Sequence, residues 1–183
     1  MILLLLADGF EEIEALCPLD VLRRLGANIK TVGITGRMVN GAHGITVCAD
    51  LIPEDVDTNL IEGLILPGGM PGSINLDASH YTDKFLNEVT SREGRIAAIC
   101  AAPLVLGRRG LLNGKKAVCY PGFENELHGA IIEGEASVVT DGNITTAKGM
   151  GVALHFAKEV AKRFLGLSDS DIDKLSASIM EDR

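Results

Sequence analysis

The stretch "GRIAAICAAPLVLG", residues 94–107, decides how the rest of the chain is read. Its apolar run Ile96–Ile99 has the character of a buried strand, and it ends on a thiol, Cys100. Ala101 and Ala102 follow, and then Pro103, a residue suited to the first turn of a helix because its missing N–H has no partner there anyway. Strand, nucleophile, helix is the geometry of a nucleophile elbow, in which a sharp turn presents a side chain above the sheet. Strand and helix pack tightly at such a corner, so small neighbours are needed, and Ala98, Ala101 and Ala102 meet that need. The helix N-terminus would favour thiolate over thiol. From these residues alone an inert cysteine acting as a small buried hydrophobe fits as well.

Outward from this corner, continuous apolar runs alternate with amphipathic ones. "MILLLLA" (1–7), "NIKTVGI" (28–34), "IEGLILPGG" (61–69) and "RIAAIC" (95–100) read as strands. "EEIEALCPLDVLRRLG" (11–26) carries apolar residues at helical spacing and stops on a glycine. "DASHYTDKFLNEVTSREG" (77–94) is helical with Phe85, Leu86 and Val89 as its stripe. "MVNGAHGITVCAD" (38–50) predicts two short strands around a turn at Asn40-Gly41, "KKAVCYPG" (115–122) a further strand, and "EASVVTDGNITTAKG" (135–149) a hairpin turning at Asp141-Gly142. "VALHFAKEVAKRFLG" (152–166) places Ala153, Phe156, Ala157, Val160, Ala161 and Phe164 on one helix face, and "SDSDIDKLSASIM" (168–180) predicts a short terminal helix capped by Ser or Asp. Continuous rather than alternating apolar strands, interleaved with helices, define a mostly parallel sheet covered on both faces. The expectation is one α/β sandwich domain over residues 1–183, working beyond the carboxyl ends of its strands. The corners at Asp8–Glu14, Gly68-Gly69 and Cys100 belong to that edge.

With 46% hydrophobic and 23% charged residues the composition is globular, and a net charge of −8 with no long basic run speaks against nucleic acid or an anionic membrane as partner. The apolar start is too short, lacks a basic leader and runs at once into acidic residues, so it reads as a first strand rather than a signal peptide. Four cysteines (Cys17, Cys48, Cys100, Cys119) stand far apart without C-x-x-C pairs or neighbouring histidines, poor spacing for zinc or for a disulfide framework. A reduced cytoplasmic protein with free thiols, and no metal, is expected. Cys17, Cys48 and Cys119 fall inside helix or strand patterns and read as structural.

Nucleotide motifs fail on inspection. After the first strand only Gly9 is present, so G-x-G-x-x-G is not met; in "GLLNGKK" (110–116) the phosphate-loop spacing puts Arg109 where a glycine is required and Lys116 where Ser or Thr is required. The histidines are His43, His80, His128 and His155; His155 lies in a helical stretch and reads as solvent-facing or as a satisfied core residue. An elbow needs partners. Gly68-Gly69 ends a neighbouring strand, where a plain turn or backbone donors for an oxyanion are equally consistent, with the Ala101 N–H as the second donor. Glu11 and Glu14 share a helix face while Glu12 points elsewhere. A carboxyl in a first turn ordinarily serves the helix dipole, but one turned inward beside a thiol would have its pKa raised and could shuttle a proton.

The blocks "DGFEEIEAL", "LPGGMPG", "AAICAAP", "YPGFE" and "AKGMGVAL" occur in order across essentially the whole chain. Together they resemble the ThiJ/PfpI superfamily, in the branch of the Parkinson-linked protein deglycase and its bacterial YajL-like relatives. The resemblance implies a flavodoxin-like three-layer sandwich, similar to class I glutamine amidotransferases, and a homodimer. It implies Cys100 as nucleophile, Glu14 as its carboxyl partner, Gly69 and Ala101 as backbone donors, with Gly68 in support, and Cys48 as a peripheral cysteine near the dimer contact. The implied activity is a glyoxalase that needs no cofactor, converting methylglyoxal to lactate, or a deglycase acting on early aldehyde adducts of protein thiols and amines. Redox sensing through a cysteine sulfinate, holdase chaperoning, intracellular peptidase activity and a thiazole-biosynthesis label also occur among members. This chain departs from the pattern twice. Tyr120 stands before Pro121 where many close relatives carry histidine, leaving proton transfer to Glu14 alone or with Tyr120. Ala101 follows Cys100 where the peptidase members have histidine, which weighs against the peptidase reading.

Overall fold

Every residue of Ile2–Leu6 is buried, and the pleat divides their side chains between two cores. Leu3 and Leu5, with Ala7 just beyond, pack among Leu64, Leu66, Phe85 and Leu104; Ile2, Leu4 and Leu6 pack among Leu19, Leu22, Phe156 and Val160. A strand covered on both faces has no polar side to show, which is why the sequence reads as an unbroken apolar run.

The computed structural model describes residues 1–181, so the last two positions of the expected domain lie outside it. In chain order the elements are β1 (Ile2–Leu6), α1 (Glu12–Arg24), β2 (Ile29–Gly33), β3 (Met38–Asn40), β4 (Thr46–Cys48), β5 (Gly63–Leu66), α2 (Gly72–Asp77), α3 (His80–Ser91), β6 (Arg95–Ile99), α4 (Pro103–Arg108), β7 (Lys116–Ala117), β8 (Ile131–Ile132), β9 (Val138–Asp141), β10 (Ile144–Ala147), α5 (Ala153–Leu165) and α6 (Asp169–Ser178). The main sheet has the order β2-β1-β5-β6-β10-β9. Its neighbours are parallel except the β9–β10 hairpin. Helices α1, α5 and α6 bury Ala15, Phe156 and Leu175 against one face; α2, α3 and α4 bury Leu76, Phe85 and Leu104 against the other. This is the expected three-layer α/β sandwich. The chain runs from β1 to β2 on one side and later returns as β5 on the other, so a crevice opens at the carboxyl ends of β1 and β5.

Three local expectations differ. The β3–β4 turn is not a tight one at Asn40-Gly41: the strands stop at Asn40 and resume at Thr46, and Gly41 N–H donates to Ile45 O at 2.9 Å. Glu12 fills the wider turn, because a Cβ on Gly41 would stand 2.3 Å from Glu12 Oε1. "KKAVCYPG" yields only the two residues of β7, paired with β8 outside the main sheet. Past Ala117 the backbone donors go elsewhere, from Val118 to Thr146 Oγ1 at 3.0 Å and from Tyr120 to Cys100 O at 2.8 Å. The short helix α2, hidden behind Gly and Pro in the sequence, fills the step between β5 and α3. The capping of α6 follows expectation, with Ser168 and Asp171 forming a reciprocal capping box.

Candidate functional site

Cys100 sits between two fixed points. Its N–H donates to Ala147 O of β10 at 2.9 Å, and its carbonyl accepts from Tyr120 N–H at 2.8 Å. Between them the backbone turns to φ +65°, a left-handed conformation that costs a residue with a side chain roughly 1–2 kcal/mol. That is the strained corner read from residues 94–107.

The helix behind the corner is short: α4 starts at Pro103 with Ala102 as N-cap and runs six residues. The thiol is pushed up to about 12, first by burial and next by the negative charge of Glu14; the amides of Gly69 and Ala101 ease it only in part. The expectation of a thiolate rested on the helix end; burial and the neighbouring carboxylate act on the thiol in the opposite direction. The two amides that act on it are those of the residues expected as oxyanion donors, and neither has a backbone acceptor among the described residues.

Glu14 is 1% exposed in the first turn of α1. Its Oε2 accepts the Gly68 N–H at 3.0 Å, while Oε1 is buried without a hydrogen-bond partner among the described residues. Burial raises this carboxyl to about 7; the Cys100 thiol and the Gly68 amide pull it down, and the charge of Glu11 pushes it up again. Gly69 adopts φ +92°, and a Cβ there would stand 2.3 Å from the Glu11 nitrogen, so the turn that carries the donor amide requires glycine.

Glu12 turns away from the thiol, as its position on the helix indicates, and meets the β3–β4 turn. Its Oε1 accepts the His43 N–H at 2.8 Å, and its Oε2 lies 3.0 Å from His43 Nδ1. Glu11 Oε1 is 3.6 Å from the same nitrogen. Burial alone would raise Glu12, but the His43 ring and the backbone amides hold it below the usual carboxylate range. His43 is raised in turn, by the bond to Glu12 and then by the charge of Glu11. Among the described residues Glu11, Glu12 and His43 are the trio of metal-ligating side chains brought within 4.8 Å of one another. Glu12 is engaged with the His43 ring and with the amides of His43 and Ile45, while Glu11 stands within ion-pair distance of the same ring.

A cavity of about 310 Å³ joins these groups. Glu11, Glu14, His43 and Cys100 supply its reactive side chains, with Gly69 and Ala101 beside the sulfur. Met70, Tyr120, Phe123 and Met150 make its apolar wall. The structure thus brings Cys100, Glu14, Gly68, Gly69, Ala101 and Tyr120 to one place. Sequence reading missed His43, Met70, Phe123 and Met150. For His43 the one available cue was a histidine set in a glycine-flanked turn at the carboxyl edge of the sheet. All four cysteines are free: Cys48 is exposed, Cys17 half-buried and raised by burial, and Cys119 buried and raised to about 11, again first by burial. His155 is exposed on α5.

A three-layer sandwich with a thiol on a strained strand–helix corner, an inward carboxyl beside it and two backbone amides aimed at the sulfur defines an elbow-type α/β protein. Residues 1–163 match the DJ-1/PfpI family, and the chain belongs to it. Protein DJ-1 homolog B of Arabidopsis thaliana is 36% identical over 90% of this chain, which spans only 38% of that protein's length. A deglycase of Pyrococcus abyssi is 29% identical over 88% of this chain and 97% of its own. The solved structure of a DJ-1 superfamily protein from Salmonella typhimurium, a cysteine-to-alanine variant, is 33% identical, covers 100% of this chain and 98% of its own, and superposes with a TM-score of 0.92.

Proposed function

We propose that the protein is a cysteine-dependent glyoxalase and deglycase that needs no cofactor. It turns methylglyoxal-type α-oxoaldehydes, or their early adducts on thiols and amines, into 2-hydroxy acids. Homologues that include a named deglycase support a DJ-1-like function and an enzymatic role. The observation that carries the finer reading is the meeting, in one cavity, of the Cys100 thiol on its left-handed corner with the buried Glu14 carboxyl, which burial raises above its ordinary range.

A carboxyl poised near neutrality is present in both forms at pH 7, which suits repeated proton transfer. As Cys100 Sγ approaches the aldehyde carbon, the Glu14 carboxylate takes the thiol proton, the C–S bond forms and the carbonyl pair moves onto oxygen. The Gly69 and Ala101 amides support that oxyanion, and Glu14 hands it the proton to give a hemithioacetal. The regenerated carboxylate then removes the C–H proton and delivers it to the adjacent carbon. The aldehyde carbon is oxidised to a thioester as the ketone carbon is reduced to an alcohol. Water cleaves the thioester to the 2-hydroxy acid and restores the thiol. No standing thiolate is required, because deprotonation accompanies attack.

The redox-sensor and holdase readings use the same sulfur. Peroxide reacts with thiolate, which burial and the charge of Glu14 disfavour at Cys100, whereas the base-assisted reaction with aldehydes needs no standing thiolate. A cytoplasmic homodimer belongs to the same proposal. Among the described residues no helix is long and apolar enough to cross a membrane. Light scattering tests the dimer, which should give twice the 19.4 kDa of the chain.

The test is lactate formation from methylglyoxal by wild type, Cys100→Ser and Glu14→Gln. Both variants should lose turnover; unchanged turnover in Cys100→Ser would end the mechanism.

A further inference from the structure

The reaction has a second proton problem, at oxygen. When Glu14 takes the proton from the hemithioacetal carbon, the C–H electron pair becomes part of a carbon–carbon double bond. The ketone π pair then moves onto its oxygen, which must gain a proton. When Glu14 returns the proton to the second carbon, the hydroxyl on the first carbon must lose one as its C=O re-forms. One proton therefore enters at one oxygen and one leaves at the other, with no net change and no outside oxidant. The Gly69 and Ala101 amides flank the sulfur and so serve the oxygen on the attacked carbon. They hold no proton to give.

We propose that His43 is the group that gives and takes this proton, and that Glu12 is the residue that positions it. The inference rests on the aldehyde chemistry proposed above. His43 lines the same cavity as Cys100 and Glu14, although it arrives from the β3–β4 turn rather than from the segment at Tyr120. Its attachment is specific. One buried carboxyl, Glu12, 7% exposed, holds both the main chain of His43, by N–H to Oε1 at 2.8 Å, and the ring, by Nδ1 to Oε2 at 3.0 Å. A carboxylate on Nδ1 fixes the tautomer with the proton on that nitrogen, orients the ring and leaves Nε2 as the nitrogen free for exchange. The arrangement places a carboxylate-oriented imidazole and a base-assisted thiol in one cavity, supplied by separate elements. Imidazole is the side chain whose ordinary titration falls near neutrality.

The charged and titratable groups facing His43 are Glu11 at the N-cap of α1 and Glu12 in its first turn, with Glu14, Cys100 and Tyr120 elsewhere on the cavity wall. The two acidic residues nearest the ring favour its protonated form, so it can act as the donor at the start of each cycle. The side chain is 68% exposed, which leaves room for a small molecule to take its place.

The experiment measures kcat, KM and their pH profiles for methylglyoxal with wild type, His43→Ala, His43→Gln and Cys100→Ser, alongside thermal melting. The expected result is a kcat loss of about 100-fold in both His43 variants with little change in KM. The aldehyde adduct on Cys100 should accumulate by intact mass in His43→Gln. Added imidazole should restore part of the turnover of His43→Ala, with a pH dependence set by the added imidazole; a merely structural role would show no such rescue. Wild-type kcat in the His43 variants, a loss confined to KM, or a kcat loss that imidazole does not rescue would each overturn the assignment. If those variants behave as wild type while Cys100→Ser is dead, only the role of His43 falls. If Cys100→Ser retains turnover, the reading of the site itself falls.

Discussion

Glu14 and Cys100 meet over Gly68: a Cβ on that glycine would stand 2.5 Å from Glu14 Oε2 and 2.5 Å from Cys100 Cβ. Helix α1 and strand β6 bring acid and thiol together only because β5 ends in a residue with no side chain. The glycine is not in a left-handed conformation, so its neighbours alone forbid anything larger. Gly68→Ala should therefore push the pair apart. Overpacking of this kind costs about 1–3 kcal/mol, and misplacing a reacting group by an ångström costs about 100-fold in rate. Thermal melting and methylglyoxal turnover measured on the same preparation check both, and full turnover in a folded Gly68→Ala variant would show that the contact is not needed.

The same contact makes stability depend on pH through Glu14. Its carboxyl goes from 4.5 unfolded to about 7 folded, chiefly through burial. The folded state thus holds the proton more tightly. The stabilisation from protonated Glu14 is complete below 4.5 and is lost as pH rises through about 7. The shift corresponds to a change on the order of 3 kcal/mol across that window. Glu14→Gln carries no charge at either end, so its unfolding free energy relative to wild type should rise by about 2–3 kcal/mol between pH 4.5 and pH 8.5. Urea unfolding at the two pH values measures the difference, and parallel behaviour of the two proteins would refute the raised carboxyl.

How much of this was legible in the sequence depended on the range of the interaction. The strands of the parallel sheet announce themselves as apolar runs because they are buried on both faces, and α5 shows its stripe because one face packs and the other is wet. The corner at Cys100 was legible because its requirement for small neighbours is local, met by Ala98, Ala101 and Ala102. The direction of the thiol's pKa was not, since it follows from burial and from a carboxyl 86 positions away in the chain (Cys100 minus Glu14). A local argument from the helix end pointed the other way. His43 was hidden for the same reason: its bond to Glu12 spans 31 residues and depends on a turn wider than Asn40-Gly41 suggested.

The raised thiol leads to an experiment in which two readouts move in opposite directions. The charge of Glu14 is, after burial, the main cause that pushes the Cys100 thiol up. Removing that charge in Glu14→Gln should lower the thiol's pKa and raise the thiolate fraction at pH 8. Alkylation of Cys100 by iodoacetamide should then run about 10-fold faster than in wild type. Aldehyde turnover should fall about 100-fold, because the base is gone. Intact mass over time gives the alkylation rate and lactate gives the turnover. If both fall together, Glu14 assists ionisation of the sulfur rather than opposing it, and the order of proton transfer proposed here is wrong.

The strain at Cys100 can be separated from its chemistry by choosing what replaces it. The residue sits at φ +65°, held there by bonds from its N–H to Ala147 O and to its carbonyl from Tyr120 N–H. Both are main-chain bonds, so they persist whatever the side chain. Alanine removes the sulfur but keeps a Cβ in the left-handed region; glycine removes the sulfur and the steric penalty together. Both variants should be inactive. Cys100→Gly should nevertheless be more stable than Cys100→Ala by about 1 kcal/mol, after the greater flexibility of glycine in the unfolded chain offsets part of the relief. A pair of denaturant titrations at one pH measures that difference. Alanine equal to or better than glycine would mean that the corner relaxes once the thiol is gone, and that the side chain itself, rather than the two main-chain bonds, holds the turn.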